Sequence, residues 1–308
     1  MSSALILQST TQNNPTVIIR TIMTIKRLST ISHPISRLLT ATSAALLTTL
    51  ASAQIPTLPQ QPIPADIAQA INSVMAVSYG SDYDKLRGCT LYHRKQTFDN
   101  ESGEYVTKGS YCIAPIKYQI EEVSGETRLY LLTSSYVYNG NTSRANPGMG
   151  GLFELYKLGN SWVLSASDPF IYSGGSGRSQ LYQFALSKVG DDKYGWTGKH
   201  CGSGAGGESS CLWQMYASID DKIKSVAEIE VDYYSELISE NMYYEGTGQV
   251  AHQSSAPMTA GFYPLEVTLN NISGRLGHYD NDLYASPESE DKSIYAYNPS
   301  KQQFELVE

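Results

Sequence analysis

The stretch "CLWQMYASIDDKIKSVAEIEVDY", Cys211–Tyr233, indicates the fold of this chain more clearly than any other part of it. Apolar or aromatic residues occupy every second position in both of its halves: Trp213, Met215, Ala217 and Ile219, then Ala227, Ile229, Val231 and Tyr233. The positions between them are mostly polar. A period of two is typical of half-buried antiparallel strands.

The same period recurs on both sides of this stretch. In "IKYQI" it places Ile116, Tyr118 and Ile120 on one face, and in "LYQFALSK" it does so for Tyr182, Phe184 and Leu186. "YPLEVTLN" (263–270) alternates in the same way, whereas "LYLLTSSYVY" (129–138) is apolar on both faces and predicts a central strand. Short turns rich in Gly, Asn, Asp and Pro separate about ten such strands.

The predicted fold class is therefore mainly β, an antiparallel, hairpin-rich sandwich or barrel. One N-terminal amphipathic helix precedes the strands. It is predicted from "DIAQAINSVMAV", where Ile67, Ile71, Val74 and Met75 recur at helical spacing and Pro64 and Asp66 suit a helix start. Helix packing on the sheet is the expected role.

Residues 1–53 have the composition of a secretory signal peptide. They contain four basic residues and no Asp or Glu, and the apolar run Leu38–Leu50 leads to the small-residue site Ala51-Ser52-Ala53. Cleavage is predicted between Ala53 and Gln54. Met23 is an alternative start to Met1, and a transit peptide is the competing interpretation of the Ser- and Thr-rich leader. The apolar run is too short for a transmembrane helix, and no later segment predicts a membrane span.

A Pro/Gln-rich linker is predicted over 54–65 and a single β-rich domain over 66–308. Two β units meeting near 139–151 are the alternative. With four of the 22 basic residues removed and all 30 acidic residues kept, the predicted mature chain carries a net charge of −12. An acidic, exported chain does not favour nucleic acid, an anionic membrane surface or a nucleotide cofactor as partner, so no cofactor is expected.

All four cysteines lie in the predicted mature chain, and an even number in an exported protein favours disulfides. Local pairing gives Cys89–Cys112 and Cys201–Cys211. For the first pair, placing the two cysteines directly opposite each other puts Phe98 opposite Gly103 and leaves "DNES" (99–102) as a four-residue turn.

The stretch "KHCGSGAGGESSC" (199–211) resembles several kinds of site. Gly202, Gly204 and Gly207 match G-x-G-x-x-G, but a strand rather than a helix is predicted after them, which excludes a dinucleotide loop. C-x₉-C spacing favours neither zinc nor a redox-active pair. The prediction is a glycine-rich loop closed at its neck by the disulfide, with Ser203, Ser209 and Ser210 available to a partner.

Catalytic motifs are weak in this sequence. "YSGGSGRS" (172–179) comes close to G-x-S-x-G but has Arg178 at the last position. None of the mature histidines, His93, His200, His252 and His278, is singled out as a triad member. Glu228, Glu230 and Asp232 are expected on one strand face, where solvated outer-face charges are the preferred explanation.

Asp280 and Asp282 in "YDNDLYASPESEDK" (279–292) give a weak calcium candidate, because Tyr284 and Ala285 stand where an EF-hand loop needs Asp or Asn and then Gly. Tyrosine is unusually frequent, at 23 residues against 6 Phe and 3 Trp. Cross-strand packing explains most tyrosines. A binding face is the sharper hypothesis, formed by Tyr130, Tyr136, Tyr138, Tyr233, Tyr234, Tyr243 and Tyr244.

These patterns predict an exported, soluble, disulfide-stabilised β protein, periplasmic or extracellular. The leading hypothesis is a non-enzymatic binding or envelope-associated module whose partner is a glycan or an envelope protein or peptide. The alternative is a secreted hydrolase of polysaccharide or peptide that uses carboxylates or a histidine. Two convergent carboxylates in a deep cleft would favour the hydrolase.

Overall fold

The computed structural model describes residues 62–100, 103–139, 147–203, 208–237, 242–275, 284–285 and 289–307. The predicted signal peptide, its Ala53/Gln54 cleavage site and most of the predicted linker lie outside these residues. Asp280, Asp282 and His278 lie outside them as well.

Within the described residues the chain forms one α-helix, α1 (Ala65–Tyr79), one short 3₁₀ helix (Gln180–Gln183) and fifteen strands. The strands are β1 (Tyr83–Asp84), β2 (Cys89–Asn100), β3 (Gly103–Val123), β4 (Glu126–Asn139), β5 (Gly148–Leu158), β6 (Ser161–Ser173), β7 (Ala185–Gly190), β8 (Lys193–Ser203), β9 (Ser209–Ile219), β10 (Lys222–Leu237), β11 (Met242–His252), β12 (Leu265–Arg275), β13 (Tyr284–Ala285), β14 (Ser289–Asn298) and β15 (Gln303–Val307).

Hydrogen bonding joins the strands in the order β1-β2-β3-β4-β5-β6-β10-β11-β12-β14-β15, with β9, β8 and β7 branching from β10 and β13 lying beside β12. Between the described strands every pairing is antiparallel except a single parallel contact of Ser167 in β6 with Lys222 in β10. Among the described strands the two ends of this path do not pair. The mainly β, hairpin-rich prediction is therefore confirmed, and the sheet is not a closed barrel.

The helix packs on one face of the β2–β6 sheet, as its amphipathic pattern predicts. Ile67, Ile71, Val74 and Met75 are all buried there. β4 is the central strand that its apolar sequence predicts, since it pairs with both β3 and β5. Leu129 and Leu131 point toward the helix, so this face alone buries two leucines at about 1.5–3 kcal/mol each.

Two further apolar layers give the molecule a sandwich-like arrangement. On the other face of β4, Tyr130 and Leu132 belong to a second core that includes Trp196 of β8 and Tyr216 of β9. The far face of β9 and β10 forms a third core with β12, β14 and β15. It buries the residues whose alternation predicted strands, among them Trp213, Met215, Ala217, Ala227, Ile229 and Val231.

The prediction that Ile116, Tyr118 and Ile120 share one face is wrong. A register shift lies between Pro115 and Lys117 in the β3–β4 pairing. Proline has no N–H to donate to the ladder, and such an irregularity rotates the following residues to the other face. Ile116 therefore packs in the second core, whereas Tyr118 packs beside the helix.

The predicted strand face of Tyr182, Phe184 and Leu186 is also wrong. The hydroxyl of Ser179 accepts a hydrogen bond from the Leu181 N–H at 3.2 Å, and the 3₁₀ helix follows from this cap. Phe184 is fully buried while Tyr182 is 42 % exposed, because the helical turn replaces the alternation of a strand. The strand β7 begins only at Ala185.

Both predicted disulfides are present, but the register of the first hairpin differs from the prediction by two residues. Cys112 lies opposite Leu91, and Asn100 lies opposite Gly103. Cys89 and Cys112 are thus diagonal neighbours with a Cα–Cα distance of 5.4 Å. A shift of two residues keeps every side chain on its face, so the hydrophobic pattern cannot distinguish the two registers.

The strands on either side of the predicted junction near 139–151 are neighbours in one sheet. β4 and β5 pair from Arg128 opposite Tyr156 to Ser134 opposite Gly150.

None of the helices in the described residues is long and apolar enough to cross a membrane.

Candidate functional site

A cleft of about 510 Å³ lies where the last turn of α1 meets the start of β2 and the middle of β3. Its walls come from the helix, from the segment between helix and sheet, and from the two strands. They are lined by Asn72, Met75, Ala76, Gly80, Ser81, Tyr83, Gly88, Thr90, Ile113, Ala114 and Pro115. The volume falls in the range typical of small-molecule sites.

The sequence forms this cleft because the helix ends abruptly. Gly80 has a φ of 94°, in the left-handed region that favours glycine, and its N–H donates to the Ala76 carbonyl oxygen at 3.1 Å. The chain then turns back, so that Tyr83 in β1 pairs with Thr90 in β2. Thr90 in turn pairs with Ile113 in β3, which places three cleft residues in one row across the sheet.

The described lining residues carry no charged side chain, and most of them are apolar. Thr90 and Ile113 form a buried floor, at 5 % and 0 % exposure, whereas Tyr83 at the rim is 56 % exposed. Asn72, Ser81 and Thr90 supply neutral donors and acceptors. Such a surface favours an uncharged, largely apolar ligand and offers no acid or base for chemistry.

Tyr79 anchors the helix end beside this cleft. Its hydroxyl oxygen lies 2.9 Å from Thr133 Oγ1 and donates to the Pro169 carbonyl oxygen at 2.9 Å. Burial raises the pKa of Tyr79 far above its usual value. The group therefore stays a neutral hydrogen-bonding anchor, because ionising it would leave a charge in the core.

A Ser–His–Asp arrangement stands on the opposite face of the β2–β3 hairpin. Ser110 and His93 are directly paired across the strands, with Ser110 Oγ at 2.9 Å from His93 Nδ1. His93 Nε2 lies 3.6 Å from Asp82 Oδ2, which is longer than a hydrogen bond. The His93 and Asp82 side chains are 62 % and 66 % exposed. Water therefore screens this set of residues.

Among the described residues, the most deeply buried carboxylate belongs to a different cluster. The Glu154 carboxylate in β5 accepts hydrogen bonds from the Arg128 guanidinium in β4 and from the Ser218 hydroxyl in β9. Its side chain is 4 % exposed. The hydrogen bond from Ser218 connects the β2–β6 sheet to β9, and Arg128 and Ser218 together compensate the buried charge of Glu154. It is a structural contact between layers.

The expected row of Glu228, Glu230 and Asp232 on one face does not form, because a register shift lies between Glu230 and Asp232. Glu228 accepts hydrogen bonds from Gln214 Nε2 at 3.3 Å and Ser225 Oγ at 3.0 Å.

Asp232 points elsewhere. Its two carboxylate oxygens accept from the Lys199 ammonium at 2.9 Å and from the Gly248 N–H at 3.1 Å. The two carboxylates thus serve different contacts. They do not provide a glycosidase pair.

His200 and His252 also take structural roles. His200 Nε2 accepts a hydrogen bond from the Gly174 N–H at 3.2 Å, and burial lowers the pKa of this imidazole despite the opposing effect of Glu228. The His252 ring lies edge-on to Trp213, with ring centroids 6.1 Å apart. Burial lowers its pKa too. Both rings are therefore held neutral.

The glycine-rich stretch is shorter as a loop than predicted. Strands β8 and β9 pair past the disulfide, to Ser203 opposite Ser209, and Cys201 lies directly opposite Cys211. The side chain of Gln180 binds the outer edge of Cys201. Gln180 Nε2 donates to the Cys201 carbonyl oxygen at 3.0 Å, and the Cys201 N–H donates to Gln180 Oε1 at 2.9 Å. The cysteines therefore form a non-hydrogen-bonded pair, which explains their close Cα–Cα distance of 4.0 Å.

The predicted tyrosine face is only partly placed. Tyr130 is 3 % exposed in the second core, so this residue belongs to the interior. Tyr233 and Tyr234 are half-buried in β10, and the Tyr233 hydroxyl donates to Asn271 Oδ1 at 3.2 Å. Backbone pairing sets Tyr244 opposite Ser235 and Tyr243 opposite Glu236. The side chains of Tyr136, Tyr138, Tyr243 and Tyr244 lie outside the described part of the structure.

In the described ranges no group of three or more His, Cys, Asp or Glu side chains is arranged to hold a metal ion. The calcium prediction at Asp280 and Asp282 stays untested. Sequence reasoning missed the cleft and the Ser110–His93–Asp82 arrangement. The lining residues of the cleft come from separate elements between Asn72 and Pro115, and His93 and Ser110 are 17 positions apart. Only the predicted Cys89–Cys112 pairing signalled that these residues lie close together.

Comparison with protein-family models, with curated proteins and with solved structures finds no match for this chain.

Proposed function

We propose that this protein is an exported, non-enzymatic binding module that holds an apolar segment of a partner peptide in the cleft between α1 and the β2–β3 hairpin. In this proposal residues 66–308 act as a single domain after removal of residues 1–53. The observation that carries the proposal is a cleft of about 510 Å³ whose described lining side chains are uncharged.

Exposed apolar surface around the cleft supports a peptide rather than a small sugar. Val77 is 58 % exposed on the last turn of the helix, and Leu86 is 97 % exposed in the turn that follows β1. Val77 follows the lining residue Ala76 in the helix, and Leu86 lies in the chain between the lining residues Tyr83 and Gly88. A glycan site would need more convergent polar groups than Asn72, Ser81 and Thr90, because each sugar hydroxyl that loses water needs a hydrogen-bond partner.

Methyl NMR tests this proposal directly, since methyl groups line the cleft and the distant core alike. The blocked peptide acetyl-Leu-Val-Leu-amide should shift the Met75 and Ile113 methyl signals. It should leave Met215 and Ile229, buried in the third core, unchanged. A neutral oligosaccharide such as chitotriose provides the comparison ligand.

Two tryptophan variants provide the control. Ala76→Trp places an indole in the cleft and should abolish the shifts, whereas Gln69→Trp, on another part of the same helix, should leave them intact. Shifts that survive in Ala76→Trp, or that appear only with the oligosaccharide, would contradict a peptide cleft.

A serine hydrolase is the second candidate, because Ser110 Oγ lies 2.9 Å from His93 Nδ1, as a serine nucleophile and a histidine base require. Its exposure and the 3.6 Å separation of His93 from Asp82 make it the weaker candidate, since oxyanion stabilisation needs a water-excluded site.

A fluorophosphonate probe separates the two candidates. A binding module should stay unlabelled. A hydrolase should be labelled at Ser110, and the label should disappear in His93→Gln. The proposed export has its own test, because the N-terminal peptide of protein recovered from the exporting host should begin at Gln54.

A further inference from the structure

We propose that Cys201 is a modification site at which a low-molecular-weight thiol exchanges with the Cys201–Cys211 disulfide. The proposal does not depend on the peptide cleft, which lies at the other disulfide-bonded hairpin. It follows from a difference in access, backbone support and charge between the two disulfides.

Access differs most. Cys201 is exposed and Cys211 is half-buried against the third core. Cys89 and Cys112 are both 0 % exposed and pack against Ala114 and Leu91. A thiolate must reach a sulfur atom to exchange with a disulfide. Only the Cys201–Cys211 disulfide presents a sulfur-bearing residue to solvent among the described cystines, and Cys201 is the accessible half.

The backbone around Cys201 does not need the disulfide to keep its place. Gln180 bonds to both the N–H and the carbonyl oxygen of this residue. Strand pairing continues on both sides of it, from Gly195 opposite Ala217 to Ser203 opposite Ser209. Opening the bond should therefore leave the β8–β9 hairpin folded.

A positive charge lies on the same side of β8 as Cys201. Lys199 precedes it by two residues, so both side chains project from one face of the strand. The Lys199 side chain is 43 % exposed, and its ammonium forms an ion pair with Asp232 at 2.9 Å. Cationic groups stabilise thiolates, so Lys199 favours the attacking and leaving sulfur anions while Asp232 opposes this effect.

The exchange balances without any further reactant. The incoming thiolate forms a bond to Cys201 Sγ, the Cys201–Cys211 bond breaks, and Cys211 leaves as a thiolate that takes a proton from water. A second external thiolate can then attack the sulfur atom that the first external thiol contributed to the mixed disulfide. That step releases Cys201 as a thiolate and leaves the two external thiols oxidised to their disulfide.

Glutathione is the probe for the test, with the native, folded mature chain. After timed exposure and acid quenching, peptide mass mapping should find the glutathione adduct on Cys201. Cys89–Cys112 should react at least about 100-fold more slowly, because reaching it requires local opening of a core. An adduct on Cys211, similar rates for the two disulfides, or no adduct would overturn the proposal.

Charge variants test the role of Lys199, because the exposure of Cys201 alone does not predict that the exchange rate depends on nearby charge. Lys199→Met should slow the exchange about two- to fivefold and Asp232→Asn should accelerate it by a similar factor, as expected for a half-exposed ion pair. Equal rates in both variants would overturn the role of Lys199. Near-UV circular dichroism verifies that each variant is folded. If a variant does not fold, peptide mass mapping of the unaltered chain still tests the site of the adduct.

Discussion

The β2–β3 hairpin carries its disulfide inside the sheet, whereas the β8–β9 hairpin carries its disulfide at an exposed position near the strand ends. Loop closure does not account for their difference. The chain separations of 23 and 10 residues correspond to about 3.4 and about 2.7 kcal/mol of unfolded-state entropy, which are nearly equal.

Their surroundings do differ. Cys89 and Cys112 are diagonal neighbours that fill space between strands, while Cys201 and Cys211 face each other in a pair that Gln180 supports from outside. The disulfide of the β2–β3 hairpin therefore contributes to core packing, whereas the disulfide of the β8–β9 hairpin is accessible to thiol exchange.

Removing the buried disulfide should cost the most stability. Cys89→Ala with Cys112→Ala should lower the free energy of unfolding by about 4–5 kcal/mol, since the lost closure entropy adds to a cavity between fully buried neighbours. Urea denaturation of the mature chain measures it. A loss below about 2 kcal/mol would show that the buried sulfurs contribute little packing.

The exposed disulfide should matter less for stability. Cys201→Ala with Cys211→Ala should cost about 2–3 kcal/mol, because Cys201 leaves no buried cavity and closure entropy is the main contribution. The same urea titration applies. If this double variant proved less stable than the Cys89/Cys112 variant, the conclusion that the Cys89–Cys112 disulfide contributes more to packing would be wrong.

Gln180 should contribute a smaller amount to the free energy of unfolding, through the β8–β9 hairpin. Gln180→Ala removes two hydrogen bonds to the Cys201 backbone, and water can replace them in part, so the expected loss is about 1–2 kcal/mol. The neighbouring exposed variant Gln183→Ala is the control and should change stability by no more than about 0.5 kcal/mol. Equal effects of the two variants would exclude Gln180 as a support.

The free energy of unfolding should depend weakly on pH through His200 in β8 and His252 in β11. Burial lowers the pKa of His200 and of His252 in the folded state, so the unfolded chain binds more protons near and below the ordinary histidine pKa of about 6.5. Stability should therefore fall as pH drops through that value and level off below the folded pKa values.

Unfolding midpoints measured from pH 8 to 5 check this slope. It should flatten in His200→Gln with His252→Gln. A slope that survives the double substitution would place the titrating groups elsewhere.

The sequence predicted the strands whose two faces differ most. Trp213, Met215 and Ala217 lie in a core as their alternation requires, and so do Ile229 and Val231. It also predicted α1 and both disulfides, because helical spacing and an even cysteine count are local or compositional signals. The prediction failed where a backbone irregularity reset the alternation, at Pro115–Lys117 and between Glu230 and Asp232.

The candidate site was much less predictable. Met75, Thr90 and Ile113 meet in the cleft only because the helix ends at Gly80 and the first hairpin adopts one of two registers that the pattern allows. The same register sets Ser110 opposite His93. No local signal connects such residues, since their proximity follows from strand pairing over long stretches of chain.

The sequence by itself determined the mainly β fold, the helix α1 and the pairing of the cysteines, because periodicity and local closure act over a few residues. It also predicted export through the composition of residues 1–53. Only the tertiary structure decided the layer that each strand face joins, the cleft beside α1 and the exposure of Cys201. These depend on register, bulges and the packing of one sheet on another, which are set by contacts between distant residues rather than by local pattern.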